Sequence, residues 1–245
     1  DKSRFATLNR PVEATLHVDL TKTKPISDKL IGVFFEDISR AADGGLYAQL
    51  LENGDFEYSP ADHRGWNSQT AWTSDKPIVI ATAEPLSKNN AHYAVLNQAI
   101  LTNHGWDNVI YDHGEQFDFS VYARCIDQKK AILLVQLVDS LGQILTEGKV
   151  KVEGNRWQPY SLSLNTLTKK RVQPVTPVLC SLRIVSTKPG DVAIDMVSLF
   201  PHDTYKGHGM RKDIAETIAA LHPKFMRFPG GCMLHGDGIN NIYHW

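Results

Sequence analysis

Little in this sequence is in excess, and the shortages narrow its chemistry. Its 245 residues hold only three cysteines, Cys125, Cys180 and Cys232, none in a CxxC pair, so neither a disulfide framework nor a four-cysteine zinc site is signalled. Cys125 alternates with Phe119, Val121 and Ala123, and Cys180 with Val178, Leu182 and Ile184, so both are expected as small buried residues on strand faces. Charge of one sign is missing too. Lys and Arg total 26 against 27 Asp and Glu, which leaves no surplus to neutralise nucleic acid or an anionic membrane. No apolar run approaches the roughly 20 residues that span a bilayer, and the opening DKSRFATLNR lacks a leader's apolar stretch. The expectation is a soluble protein without membrane or nucleic-acid partners. Because the chain opens on Asp1, upstream processing is consistent with it, and an extracellular or periplasmic location is favoured over a cytoplasmic one.

What is present divides by period. Residues 13–20, EATLHVDL, alternate as a half-exposed strand does, whereas 30–35, LIGVFF, is an unbroken apolar run suited to a strand buried on both faces. LYAQLLEN at 46–53, with Leu46 and Leu50 one helical turn apart and Gly54 as a stop, predicts a short helix. From about 60 to 200 the helical period vanishes. Short alternating runs such as QFDFSVYARCI, AILLVQLVD, YSLSLN, VLCSLRIVS and VAIDMVSLF, separated by Gly, Asn, Asp and Pro, predict an antiparallel sandwich or jelly roll. Helical period returns at 210–221, where Ile214, Ile218 and Leu221 share a face and Pro223 ends the helix. A second buried strand, 224–228, runs into Pro229-Gly230-Gly231.

The order strand, insertion, helix, strand reads as a β/α unit carrying a guest domain. Residues 1–24 form an amino-terminal strand region, 25–60 and 202–245 the start of an α/β barrel, and 61–201 an all-β jelly roll that should fold by itself. Two such strands cannot close a sheet, so the chain reads as the front portion of something longer, with the missing portion as its partner and homo-oligomers allowed.

In parallel α/β architectures chemistry gathers where strands end. The first strand delivers Glu36, and the second carries Arg227 ahead of Gly230, Gly231 and Cys232. Taken alone, Glu36 reads equally as a rim carboxylate or a ligand contact, Arg227 as half of a buried ion pair or a ligand contact, and Cys232 as structural. Cys232, His235 and His244 lack the spacing of a zinc motif, and no segment satisfies a nucleotide-binding glycine pattern. Trp66, Trp72, Trp106, Tyr111 and Trp157 could stack on sugar faces, but each reads first as a core residue.

IGVFFEDI at 31–38, NGDFE at 53–57 and PKFMRFPGGC at 223–232 resemble the α-L-arabinofuranosidases of glycoside hydrolase family 51. Tyr111-Asp112-His113-Gly114, Phe117-Asp118-Phe119-Ser120, Trp157 and Ile194-Asp195-Met196-Val197-Ser198-Leu199 resemble a carbohydrate-binding module of the family 4/9 type. The resemblance implies the first two strands of a (β/α)8 TIM barrel with an inserted jelly roll. It further implies a retaining glycosidase that removes terminal L-arabinofuranose from arabinan or arabinoxylan. The catalytic glutamate pair is expected outside this chain, with Glu36, Arg227 and Cys232 in the sugar pocket, Cys232 replacing a common Asn. No cofactor is required. A structural calcium is implied for such modules, with Asp118 and Asp195 as candidate ligands. The competing reading is a non-catalytic glycan-binding jelly roll, favoured only by that domain's length.

Overall fold

The computed structural model describes residues 13–111, 115–165 and 177–231, together with 234, 236, 239 and 242. Its first strand, β1 (Val33–Phe34), pairs in parallel with its last, β13 (Met226–Arg227), in the register Val33 to Met226 and Phe34 to Arg227. Val33 N–H donates to Phe225 O at 3.0 Å and Phe35 N–H to Arg227 O at 2.9 Å. A parallel neighbour needs a crossover, and here α1 (Lys212–Ala220) precedes β13 as the β/α reading requires. The expected burial of both strand faces is not met within this chain. Phe34, Phe225 and Met226 each stay more than half exposed, because among the described residues these two strands have neither a third strand nor a covering layer of helices.

Between the two strands lies an antiparallel sandwich. One sheet is built from β3 (Val79–Ala81), β4 (Tyr93–Leu96), β7 (Gln116–Cys125), β10 (Gln158–Asn165) and β12 (Val192–Pro201), in the order β10-β7-β12-β4-β3. The facing sheet joins β2 (Trp72–Ser74), β5 (Ile100–Asn103), β8 (Lys130–Asp139), β9 (Ile144–Glu153) and β11 (Val178–Ser186) in the order β2-β5-β11-β8-β9, with β6 (Val109–Tyr111) added along β11. Alternation sets the core. Phe117, Phe119, Val121 and Ala123 of β7 meet Leu133, Val135 and Leu137 of β8 and Leu182 and Ile184 of β11, all essentially without solvent contact. Cys125 and Cys180 are buried free thiols in this core, and burial pushes Cys180 up to about 12. The core cysteines are therefore packing residues and not redox or metal groups. Tyr111 and Trp72 also belong to the core.

Three expectations are corrected. Residues 13–20 form no strand in the described structure and lie exposed, since no partner strand is offered to them. Residues 46–53 are irregular and not helical. Their backbone groups are taken by distant partners: Ala48 N–H by Gly209 O at 2.8 Å, Leu50 N–H by Leu199 O at 2.9 Å, and Leu46 O by Arg211 N–H at 2.8 Å. The same segment moves the start of the guest domain. Leu51 and Phe56, assigned above to the barrel, are buried in the sandwich core, where Phe56 stacks on Trp72 at 5.2 Å and Trp72 Nε1 donates to Asn53 O at 2.8 Å.

Removing a wholly buried aromatic ring leaves a cavity, so Phe56→Ala should lower stability by about 3–5 kcal/mol. A fragment starting at residue 61 should melt well below one spanning 46–211. Equal urea midpoints for the two fragments would show that Leu51 and Phe56 lie outside the cooperative unit.

Candidate functional site

The parallel pair fixes what stands at its carboxyl end. Glu36 follows β1 directly, while β13 leads through Phe228 and Pro229 into Gly230 and Gly231, and the two segments touch. A Cβ at Gly231 would fall 2.6 Å from Glu36 Oε2, and one at Gly230 would fall 2.6 Å from both Glu36 Cα and Phe35 O. Gly230 also has φ +109°, a conformation that glycine alone adopts without strain. The glycine pair thus exists so that the Glu36 carboxylate can lie against bare backbone. Glu36 is half-buried there, neither sealed in nor free in solvent.

Arg227 is exposed on this two-stranded sheet. As the register partner of Phe34 it lies on an exposed surface, with its guanidinium 4.9 Å from the Phe34 ring centroid. Among the described residues it has no carboxylate partner. Glu36 and Arg227 are brought to the same strand ends, whereas Cys232 lies outside the described residues.

Asp37, next to Glu36 in the chain, leads into a group of acidic side chains that sense one another. Asp37 Oδ1 accepts the Ala42 N–H at 3.0 Å and so braces the turn after the strand. Burial, reinforced by Asp37 and Asp55, holds the Asp43 carboxyl above its ordinary range, and burial raises Asp55 and Glu52 as well. Tyr58 stacks flat on Trp66 at 4.4 Å, and burial among these carboxylates raises its phenol.

Asp118 and Asp195 do not form a calcium site together. Asp118 on β7 pairs with Phe200 and Asp195 on β12 with Tyr122, which puts four residues, or roughly 13 Å, between them along the strands. Asp118 is occupied by protein donors: His202 Nδ1 at 2.7 Å and Ser163 Oγ at 2.8 Å. Asp195 is wholly buried, accepting from Met196 N–H at 2.7 Å and Asn90 Nδ2 at 2.8 Å, and burial pushes it up to about 7. Among the described residues no three His, Cys, Asp or Glu side chains gather as a metal shell. His202 and Asn90 were not singled out in the sequence, since their partners lie 84 and 105 residues away and no local pattern marks them.

A carboxyl that titrates higher folded than unfolded weakens the fold as it ionises. Between pH about 4, where the unfolded group titrates, and about 7, the folded protein keeps a proton that the unfolded chain releases, so this contribution falls as pH rises and is flat above that window. Asp195→Asn should therefore gain on the parent by up to about 1.4 kcal/mol per pH unit between pH 5 and 7, measured by urea unfolding. A pH-independent difference would mean that Asp195 is ionised throughout.

No protein-family profile matches the chain. An extracellular exo-α-L-arabinofuranosidase of Streptomyces chartreusis is 42% identical over 226 residues, covering 90% of this chain and 26% of the relative. α-L-Arabinofuranosidase 1 of Arabidopsis thaliana is 28% identical over 251 residues, covering 94% and 36%. The arabinose-bound structure of a family 51 α-L-arabinofuranosidase superposes with a TM-score of 0.73 at 25% identity, over 89% of this chain and 36% of that one. The chain spans about a quarter to a little over a third of the length of these proteins. Along nearly all of that span, then, it is homologous to part of the α-L-arabinofuranosidases.

Proposed function

We propose that the chain is the amino-terminal part of a retaining α-L-arabinofuranosidase of glycoside hydrolase family 51. It would hydrolyse terminal α-L-arabinofuranosyl residues from arabinan or arabinoxylan. In this reading β1 and β13 are the first two strands of a (β/α)8 barrel, and the sandwich is a family 4/9-type module inserted between β1 and α1. The observation that carries the reading is the carboxylate of Glu36 laid against Gly230-Gly231 at the ends of a parallel pair, in a chain 42% identical to an arabinofuranosidase. Export is proposed on the same relative, which is described as extracellular.

Retention needs a nucleophile and an acid/base carboxyl about 5–5.5 Å apart, and both are assigned to later barrel strands. Proton transfer and nucleophilic attack by two carboxyl groups require no cofactor. Glu36 does different work. An ionised carboxylate can only accept, so it orients the sugar through two hydroxyl groups, and bare glycine backbone beneath it lets the ring approach. Contacts that tighten as positive charge develops on the ring raise the rate more than they raise ground-state binding. Arg227, whose exposed position on Phe34 leaves its guanidinium available, would be covered by the remaining strands and face a carboxylate there.

Hydrolysis of 4-nitrophenyl α-L-arabinofuranoside tests the reading. The full-length protein should be active and this chain alone inactive; activity in this chain alone would sink the placement of both catalytic carboxyls. In the full-length protein Glu36→Gln should cut kcat about 10- to 100-fold, the worth of a charge-assisted hydrogen bond, with little change in Tm. Gly231→Ala should lower activity similarly by pushing the Glu36 carboxylate aside, whereas Gly230→Ala, which meets backbone, should lower Tm. Unchanged kinetics in both Glu36→Gln and Gly231→Ala would remove Glu36 from the site.

A further inference from the structure

A cleft of about 990 Å³ opens between one end of the sandwich and the first turn of α1. Its apolar surface is supplied by Tyr47, Trp106, Ile110 and Leu179. Ile110 of β6 and Leu179 of β11 are register partners that point outward, 57% and 55% exposed, at positions where a core role is excluded. Trp106 is held rigidly: its Nε1 donates to Gln49 O at 3.1 Å, and its ring lies on Gly44, where a Cβ would fall 2.5 Å from Cγ. Asn108 and Gln116 also line it, the Gln116 amide held by Ser163 Oγ and His202 Nδ1, each at 3.2 Å.

The charges of the cleft select against an anion. Its two cations are each paired, Arg211 with Asp213 at 2.6 Å and Lys212 with Asp203 at 2.7 Å. No unneutralised cation among the described lining residues remains to attract phosphate or an acidic polymer. Rigid aromatic and aliphatic faces together with amides suit a neutral sugar ring, apolar on its C–H face and polar around its rim.

Position supplies the second argument. In a β/α unit the helix runs back against its strands, so the first turn of α1 stands at the same end as Glu36. The two places are physically connected. Asp37 Oδ1 accepts from Ala42 N–H, and Ala42 O accepts from Tyr47 N–H at 2.9 Å, so one braced turn runs from the carboxyl end of β1 to the cleft. We propose that the cleft holds the neutral main chain of a branched pentose polysaccharide while one arabinofuranosyl side unit reaches Glu36. This rests on the function proposed above and adds that polymer recognition is shared between the sandwich and the first helix.

The test compares two substrates on the full-length protein: arabinoxylan, which has a main chain, and 4-nitrophenyl α-L-arabinofuranoside, which has none. Ile110→Arg fills the cleft from an exposed position. Asn108→Gly removes an amide at φ +74°, which glycine adopts freely. Both should lower kcat/KM on arabinoxylan by about five-fold or more, the effect of one lost contact, and leave the aryl glycoside unchanged. An unaltered ratio between the two substrates in both variants would overturn the proposal. Absence of aryl hydrolysis by the unaltered full-length protein would instead overturn the parent reading.

Discussion

Everything in this chain depends on bringing the exit and return of an inserted domain side by side. The strand at 33–34 must lie next to the strand at 226–227, yet a whole sandwich is threaded between them. Three backbone bonds, Ala48 to Gly209, Leu50 to Leu199 and Arg211 to Leu46, zip the outgoing and returning segments together. Because this zipper closes the insertion at its neck, the sandwich imposes no separation on the parallel pair, and surface insertion costs little beyond closing the loop. Leu51 and Phe56 then anchor the outgoing segment in the sandwich core, so the neck and the guest domain form one packed unit.

The site follows from that neck. Parallel register places the end of β1 beside the end of β13, and only glycine at 230 and 231 leaves room for the carboxylate delivered there. The exposed apolar faces of both strands and the stacking of Arg227 on Phe34 belong to the same geometry: two strands define an edge but do not enclose it. Sites of this kind sit at the carboxyl ends of parallel strands because side chains there converge without being consumed by the sheet's own packing.

Much of the sandwich was legible because period-two alternation survives in strands such as β7 and β10; Phe117, Phe119 and Val121 announce a buried face as plainly in sequence as in space. The helix expected at 46–53 shows where local reading fails. Leucines four apart fit a helical stripe, but the backbone bonds that decide the matter come from residues 199, 209 and 211, which no window around 46 contains. The short strands β2, β3 and β6 are equally silent, being three residues each. Glu36 and the glycine pair were legible as residues at strand ends. Asp118 and Asp195 were legible only as carboxylates on strands, since Ser163, His202 and Asn90, which decide what each does, arrive from other parts of the chain.

The central claim is that the Glu36 carboxylate, set against Gly230 and Gly231, receives a pentofuranose. A crystal structure of the full-length protein with L-arabinose tests it most directly. The account predicts a ring at the carboxyl ends of β1 and β13 with a hydroxyl about 2.6–3.0 Å from a Glu36 oxygen. Arabinose seated on an outer face of the sandwich, with Glu36 untouched, would contradict it.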